Sequence, residues 1–362
     1  MCAATRRIKC TEGDHDMRCQ RIVNGALALL AALAWGCGPK PSGGPAAAPP
    51  ARDSGAGSAQ ASRRIVFVFK VDGLKYGEAC QSGARRANDE LASRGVSVEY
   101  LAPPKADNSG QVQIIEKLIA DRVAAIVISP NDSKAIVPVI KQAMDAGIKV
   151  FTWDSDAPES QRVFYVAAAD DVQIGVDIMD ALARDMGGTG KVQIVSGGRG
   201  AENLNLHVKG FEEGAKKHPG IVLVKPYIYN DDDNVKARSM AIQALQKTPD
   251  LGGFACANSP SPPAVGQAIT QLGKIGQVKV WGLALPSETR QYLESGAVNG
   301  LILWDPSKLT YLTAILVNDF LDGKQPADGA EYPGIGKITY SNGRVLMPSV
   351  RITKENVAEF DF

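Results

Sequence analysis

The chain has 362 residues, 44% of them hydrophobic and 22% charged, a globular composition with length for two domains. A formal net charge of +1 leaves no field to recruit nucleic acid or an acidic surface. Three histidines in the whole chain argue against a histidine-rich metal site or a histidine-based catalyst.

The first readable segment runs from Met17 to Cys37: arginines, a short apolar core, then small residues before a cysteine. This is an export leader, too short for a comfortable membrane span. Met1–Asp16 is polar and precedes the second methionine, as a mis-assigned start would. The "LAWGC" ending resembles a bacterial lipoprotein box with Cys37 as the lipidated residue; Ala34 and Trp35 depart from that pattern, and an ordinary cleaved leader also fits. From 38 to 63 the chain is rich in Pro, Gly, Ala and Ser, cannot bury a core, and reads as a flexible tether. Cys80 and Cys256 are the cysteines of the body; they fall in different halves and read as small buried apolar residues rather than a disulfide.

From Arg64 short β-rich runs alternate with helical stretches. "RIVFVFKV", "VSVEYLAP", "VAAIVISP" and "IKVFTWD" read as strands, separated by helices in "GEACQSGARRANDELASRG", "SGQVQIIEKLIADR" and "AIVPVIKQAMDAG". The pattern restarts at "RVFYVAA" and runs through "DVQIGVDIMDALARDMG", "KVQIVSG", "NLNLHVKGFEEGAKKHPG", "IVLVKPYIYN", "DNVKARSMAIQALQKTPD", "LGGFACAN", "SPPAVGQAITQLGK", "VKVWGLA", "PSETRQYLESG" and "AVNGLILWD". Such alternation predicts right-handed βαβ units, hence an α/β fold of two doubly wound parallel-sheet lobes. The nearly unbroken apolar strands are those of sheets covered on both faces.

In these sheets ligands lie beyond the carboxyl ends of the strands. The candidates there are Lys70, Asp72 and Tyr76 after the first strand, and Trp153 with Asp154 after the fourth. Asn203, Asn205, Asn258 and Ser259 come from the second half, and Trp304 with Asp305 from the last strand. Trp281 reads as core, and His207 and His218 as surface or packing residues. "WD" occurs twice, and an indole beside a carboxylate suits a polyhydroxylated ligand: the ring covers a C–H face while the carboxylate accepts hydroxyl hydrogen bonds. "GGTGK" at Gly187–Lys191 precedes a strand and lacks the Ser or Thr of a phosphate loop. "GGRG" at Gly197–Gly200 reads as a turn offering backbone N–H groups to a ligand. "NDDDN" at Asn230–Asn234 reads as helix capping, with Asp231 bordering the cleft. No acid–base pair or complete cofactor loop is present, so no catalytic residue, cofactor or metal is expected.

The strings "FKVDG", "SGQVQIIEKLI", "KVFTWDSDA", "YIYND", "LWDPSK", "YPGIGK" and "ITKENVAEFDF" span Ile65–Phe362. As a set they resemble the periplasmic sugar-binding proteins of bacterial ABC importers, the two-lobed ribose-binding type, and most of all the branch that binds rhamnose and autoinducer-2. The resemblance implies a type I periplasmic binding protein that closes on a sugar or furanosyl signal by hinge motion. It places crossings near Asp156–Pro158, Leu283–Pro286 and Trp304–Pro306, an N-terminal lobe of 64–156 plus 285–305, and a C-terminal lobe of 157–284 plus 306–362. Asp154 falls on the family's hydroxyl-binding aspartate and Lys70 on a lysine of the autoinducer-2 binder. Asn203 and Leu204 replace that binder's Asp-Gln, Ala257 and Ser259 its proline and alanine, and Ala284 stands where ribose-type binders have a hinge aspartate. The implied setting is a monomer tethered by lipid in the periplasm, serving an ABC permease of the cytoplasmic membrane, with no nucleic acid partner. A sensor signalling to a membrane receptor is the alternative. A transcriptional regulator of the same fold would carry a helix-turn-helix in place of the leader.

Overall fold

The computed structural model describes residues 63–362. The expected leader, Cys37 and, apart from Arg63, the tether lie outside them. The described chain opens with β1 (Arg63–Val68), α1 (Lys75–Leu91), β2 (Val96–Leu101), α2 (Asn108–Ala120), β3 (Ala125–Ile128), α3 (Val137–Asp145), β4 (Lys149–Trp153) and β5 (Tyr165–Ala168). It continues through α4 (Asp171–Asp185), β6 (Thr189–Ser196), α5 (Glu202–Lys216), β7 (Gly220–Tyr229), α6 (Asn234–Lys247) and β8 (Leu251–Cys256). Next come α7 (Ser261–Gln271), β9 (Lys279–Gly282), α8 (Pro286–Ser295), β10 (Gly300–Leu303) and α9 (Pro306–Leu321). A small hairpin of β11 (Glu331–Tyr332) and β12 (Gly336–Lys337) precedes β13 (Thr339–Ser341), β14 (Arg344–Met347) and β15 (Val350–Ile352).

Two sheets result. The first has the order β13-β14-β5-β4-β3-β1-β2 and the second β15-β10-β9-β8-β6-β7. All pairings are parallel except those of β13 with β14 and β15 with β10. Strand alternation splits the core of the first lobe. Val66, Val68, Ile126, Ile128 and Val150 pack under α2 and α3, through Ile115, Leu118, Val139 and Ile140. Phe67, Phe69, Phe151 and Trp153 face the other way, toward α1 and α9. Four helices begin where an aspartate accepts from free N–H groups: Asp107 caps α2, Asp170 α4, Asp233 α6 and Asp305 α9. In the second lobe α4 and α5 cross almost backbone to backbone, since a Cβ on Gly175 would lie 2.8 Å from the Cα of Gly210.

Through β10 the element order matches the sequence reading, which assigned no element to α9 and the short strands after it; the lobe boundaries do not match. β5 belongs to the first sheet, and α8 and β10 to the second lobe. α9 packs on α1, and β13 and β14 complete the first sheet before β15 returns to the second. The crossings are therefore Ala168–Asp171, Leu303–Pro306 and Met347–Val350. Asp156–Pro158 is no crossing because the chain is pinned back there. The Asp156 carboxylate accepts from Arg162 at 2.5 and 2.6 Å and from Thr152 Oγ1 at 2.6 Å, and the returning chain pairs Thr152 with Tyr165. Leu283–Pro286 only leads from β9 into α8, which packs on α7 in the same lobe.

Candidate ligand-binding site

The site grows from the end of β4. Trp153 points into the core with no exposure, its ring edge-on to Phe67 at 5.2 Å and 5.7 Å from Phe69. The next residue faces the opposite way. Asp154 takes a left-handed backbone, φ +61°, which aspartate tolerates better than most residues. Its N–H donates to the carbonyl of Val166, and its own carbonyl accepts from the Tyr165 hydroxyl at 3.0 Å. The carboxylate is thereby held in the cleft. Oδ1 accepts from the Tyr76 hydroxyl at 2.9 Å; Oδ2 accepts from Ser129 Oγ at 2.7 Å and lies 3.2 Å from Lys70 Nζ.

Lys70 and Asp154 are each only 6% exposed, and each supplies the charge that makes the other's burial tolerable. Tyr76 also accepts from Trp304 Nε1 at 2.9 Å. Burial, and then the Asp154 charge, hold the Tyr76 phenol well above its ordinary value, so it remains a donor.

The facing wall comes from the second lobe. Asn203 opens α5 and accepts from Lys70 Nζ at 3.0 Å, a contact from one lobe to the other. Asn258, after β8, donates to Asn230 Oδ1 at 2.9 Å and to Asp232 Oδ1 at 2.8 Å. Asn230 donates to Ser261 Oγ at 2.8 Å, and Ser261 donates to Asn258 Oδ1. His207 Nδ1 lies 3.2 Å from the Ala257 carbonyl. Phe69, Leu74, Leu204, Leu283, Leu303 and the Trp304 ring complete the lining of a single cavity. Apolar walls with a few fixed polar groups are what a small hydroxylated ligand requires.

Seven expected residues converge: Lys70, Tyr76, Asp154, Asn203, Asn258, Ser259 and Trp304 all line this cavity. Four do not. Trp153 is core. Asp72 is exposed on the loop after Phe69, beside a separate small cavity, and Lys70 pairs with Asp154 rather than with it. Asn205 donates to the Arg199 carbonyl at 2.9 Å and braces the turn before α5. Asp305 caps α9, accepting from the N–H groups of Ser307 and Lys308 at 2.9 and 3.2 Å. The two "WD" pairs thus divide in opposite senses: the first sends its carboxylate to the cleft, the second its indole.

Other expectations need correction. Asp232, not Asp231, borders the cleft, while Asp231 pairs with Lys236. The Gly197–Gly200 turn does not line the cavity; Gly200 packs against Asp132 of the first lobe and its carbonyl accepts from Ser133 N–H at 3.0 Å. His207 is buried in the cleft wall, whereas His218 is partly exposed beside Asp180. Leu74, Leu283 and Leu303 also line the cavity, and a leucine at a strand or helix end carries no signal that separates it from core. Trp281 is core, donating to Asp185 at 2.7 Å. Cys80 and Cys256 are buried free thiols, and burial pushes both up.

A sequence model of the periplasmic binding protein domain matches residues 65–325. The D-ribose/D-allose-binding protein of Pseudomonas aeruginosa is 28% identical over 240 residues, 65% of this chain and 75% of its own length. The D-allose-binding periplasmic protein of Escherichia coli is 28% identical over 229 residues, 61% of this chain and 73% of its own. Among solved structures, an ABC transporter solute binding protein from Burkholderia graminis in complex with D-arabinose matches with a TM-score of 0.73 at 28% identity, over 83% of this chain and 98% of its own. LsrB from Clostridium saccharobutylicum in complex with AI-2 matches with a TM-score of 0.75 at 25% identity, over 83% of this chain and 100% of its own.

Proposed function

The chain belongs to the periplasmic binding protein family, and from that premise we propose that it captures a sugar for an ABC importer in the cleft between its lobes. One observation carries this reading. Asp154, Lys70, Tyr76 and Trp304 from one side meet Asn203, Asn258 and Asp232 from the other around a single cavity beyond the strand ends. The Asp154 carboxylate accepts from ligand hydroxyls and the Lys70 ammonium donates to a ring or hydroxyl oxygen. The Trp304 ring and the leucines cover C–H faces. Asn203, Asn258, Ser259 and Asp232 supply the facing polar groups. The three crossings act as the hinge, and ligand bridging both walls favours the closed arrangement.

In this proposal the protein performs capture without turnover. Cys37 carries a lipid, residues 38–62 tether the monomeric body in the periplasm, and a permease of the cytoplasmic membrane receives the ligand. A second reading, a receptor-coupled sensor of a furanosyl signal, is favoured by the likeness to LsrB in complex with AI-2. Thermal unfolding of the full chain against a panel of sugars, sugar acids and autoinducer-2 tests both. Ligand at about a hundredfold over its Kd should add about 2.7 kcal/mol of stability. A shift with a sugar, lost in Asp154→Ala, supports import capture. A shift with autoinducer-2 alone favours the signal ligand, and a shift with a nucleotide but with no sugar would sink the proposal.

A further inference from the structure

Beside the cavity the two lobes meet a second time, here through their backbones. The turn between β6 and α5 brings Gly200 from the second lobe, and the loop after β3 brings Asn131, Asp132 and Ser133 from the first. The Gly200 carbonyl accepts from the Ser133 N–H at 3.0 Å, and Ser133 Oγ donates to Glu202 Oε2 at 3.3 Å. Next to this contact the Asn203 N–H donates to Ser155 Oγ at 3.5 Å, while the Asn203 side chain accepts from Lys70. Ser133, Ser155, Ala201 and Asn203 are all buried, so water is excluded from the junction. None of Ser133, Ser155 and Gly200 lines the cavity, yet each lies within three residues of Asp154 or Asn203 or faces one that does.

Gly200 is required here for closeness and not for backbone conformation, since its φ is outside the left-handed region. A Cβ on it would lie 2.7 Å from Asp132 Oδ2, 2.9 Å from Asp132 Cβ and 2.9 Å from the Asn131 carbonyl oxygen, all on the opposite lobe. Neither side can yield. The Asn131 N–H donates to Gln111 Oε1 at 2.8 Å, its Nδ2 donates to the Lys70 carbonyl at 2.7 Å, and Asp132 Oδ1 accepts from the N–H groups of Lys134 and Ala135 at 2.9 and 2.8 Å. Across from them, Asn205 holds the Arg199 carbonyl, and the Arg199 guanidinium lies 3.7 Å above the Tyr229 ring. With the lobes swung apart the same methyl would meet nothing from the first lobe. A Cβ on Gly198, two residues earlier, would meet no atom within 4 Å even with the lobes together.

We infer that Gly200 and Ser133 form a clasp that holds the lobes shut over captured ligand, with Gly200 the positioning residue that permits full closure. The inference rests on the cleft being the ligand site, and its test has an arm that needs no ligand. Contacts made only with the lobes together stabilise the closed form alone, so they raise affinity without touching the ligand. The full chain and its Gly200→Ala and Gly198→Ala variants are compared by melting without ligand and by X-ray scattering with it. Binding and release rates are measured for whichever panel ligand stabilises the wild type. Gly200→Ala is expected to melt like Gly198→Ala when unliganded and to bind about tenfold more weakly. The loss should lie in faster dissociation, and the saturated protein should keep a larger radius of gyration than the wild type. Gly198→Ala should match the wild type in affinity and radius.

A merely structural role for Gly200 would lower the unliganded melting temperature and leave affinity and liganded radius unchanged, and that result overturns the inference. So does an equal loss of affinity in Gly198→Ala. The ligand-free arm pairs Asp132→Cys with Gly200→Cys, whose Cβ atoms approach each other only when the lobes close. A disulfide needs those atoms about 3.5–4.5 Å apart, a spacing reached once the lobes ease slightly to admit the new side chain. Its formation under mild oxidation, located by peptide mapping and accompanied by a smaller radius of gyration, supports the clasp; its absence overturns it. If Gly200→Ala does not fold, or the wild type binds no panel ligand, this pair still decides, and in the second case the sugar reading fails on its own.

Discussion

The ammonium of Lys70, at the end of a first-lobe strand, donates to the side-chain carbonyl of Asn203 at 3.0 Å, at the start of a second-lobe helix. The same ammonium lies 3.2 Å from Asp154. One cation therefore neutralises the cleft carboxylate and touches the opposite wall, so its removal should disturb both stability and binding.

Lys70→Met leaves Asp154 buried without its counter-charge. Removal of one partner of a buried pair costs about 3–5 kcal/mol. Because Tyr76 and Ser129 still bond the carboxylate, the lower end of that range is expected. Adding Asp154→Asn should recover part of the loss, and a double-mutant cycle on denaturant midpoints checks this. Losses that add would mean the two charges act independently.

Asp154→Asn keeps the shape of the side chain and removes its charge. Hydrogen bonds to charged groups contribute about 1.5–3 kcal/mol each. Ligand affinity should therefore fall by about tenfold to a hundredfold, read by titration calorimetry. An affinity within a factor of two of wild type would remove Asp154 from the ligand's partners.

The tryptophans of the two "WD" pairs separate fold from binding. Trp153→Phe should lower the melting temperature and leave affinity nearly unchanged, because the ring is wholly buried among Phe67, Phe69 and Tyr100. Trp304→Phe should weaken binding, because it shortens the cleft wall and frees the Tyr76 hydroxyl from its donor. Parallel melting curves and titrations of the two variants are sufficient, and exchanged phenotypes would reverse the assignment.

Stability at high pH should report the buried tyrosines. Tyr76 and Tyr165 are held well above the ordinary value of 10.0, chiefly by burial and then by neighbouring carboxylates. Below that value folded and unfolded chains are both protonated and the stabilisation is fully present. Above it the unfolded chain releases protons that the folded chain retains, so stability falls as pH rises, by about 1.4 kcal/mol per pH unit for each such group. Tyr76→Phe should reduce that slope between pH 10 and 11 in denaturant titrations, and an unchanged slope would show that Tyr76 ionises normally.

Gly210→Ala should destabilise the second lobe without touching the cleft. The added methyl would fall 2.8 Å from the Gly175 Cα and collide with the Val172 carbonyl. Overpacking of this kind costs about 1–3 kcal/mol. Calorimetric unfolding reads the loss, and a variant as stable as the parent would mean that α4 and α5 separate easily.

The sequence alone determined the order of strands and helices as far as β10, because burial on both faces makes the central parallel strands apolar runs and four of the helix starts carry a capping aspartate. It also picked out several residues that line the cavity, since polar residues such as Lys70, Asp154 and Asn258 stand out where those runs stop. The crossings were decided only by the tertiary structure. Whether the chain after Asp154 leaves the sheet depends on the Asp156–Arg162 pair and on Val166 accepting the Asp154 N–H, contacts between residues that local pattern does not relate. The same holds for which member of each Trp-Asp pair meets the cleft, which depends on how the chain leaves each strand end. It holds too for His207 and Asp232, which enter the wall through partners 50 and 26 residues away in Ala257 and Asn258. Local pattern reports what a residue's immediate neighbours require; a cleft between two lobes is made of pairs whose separation along the chain carries no periodic signal.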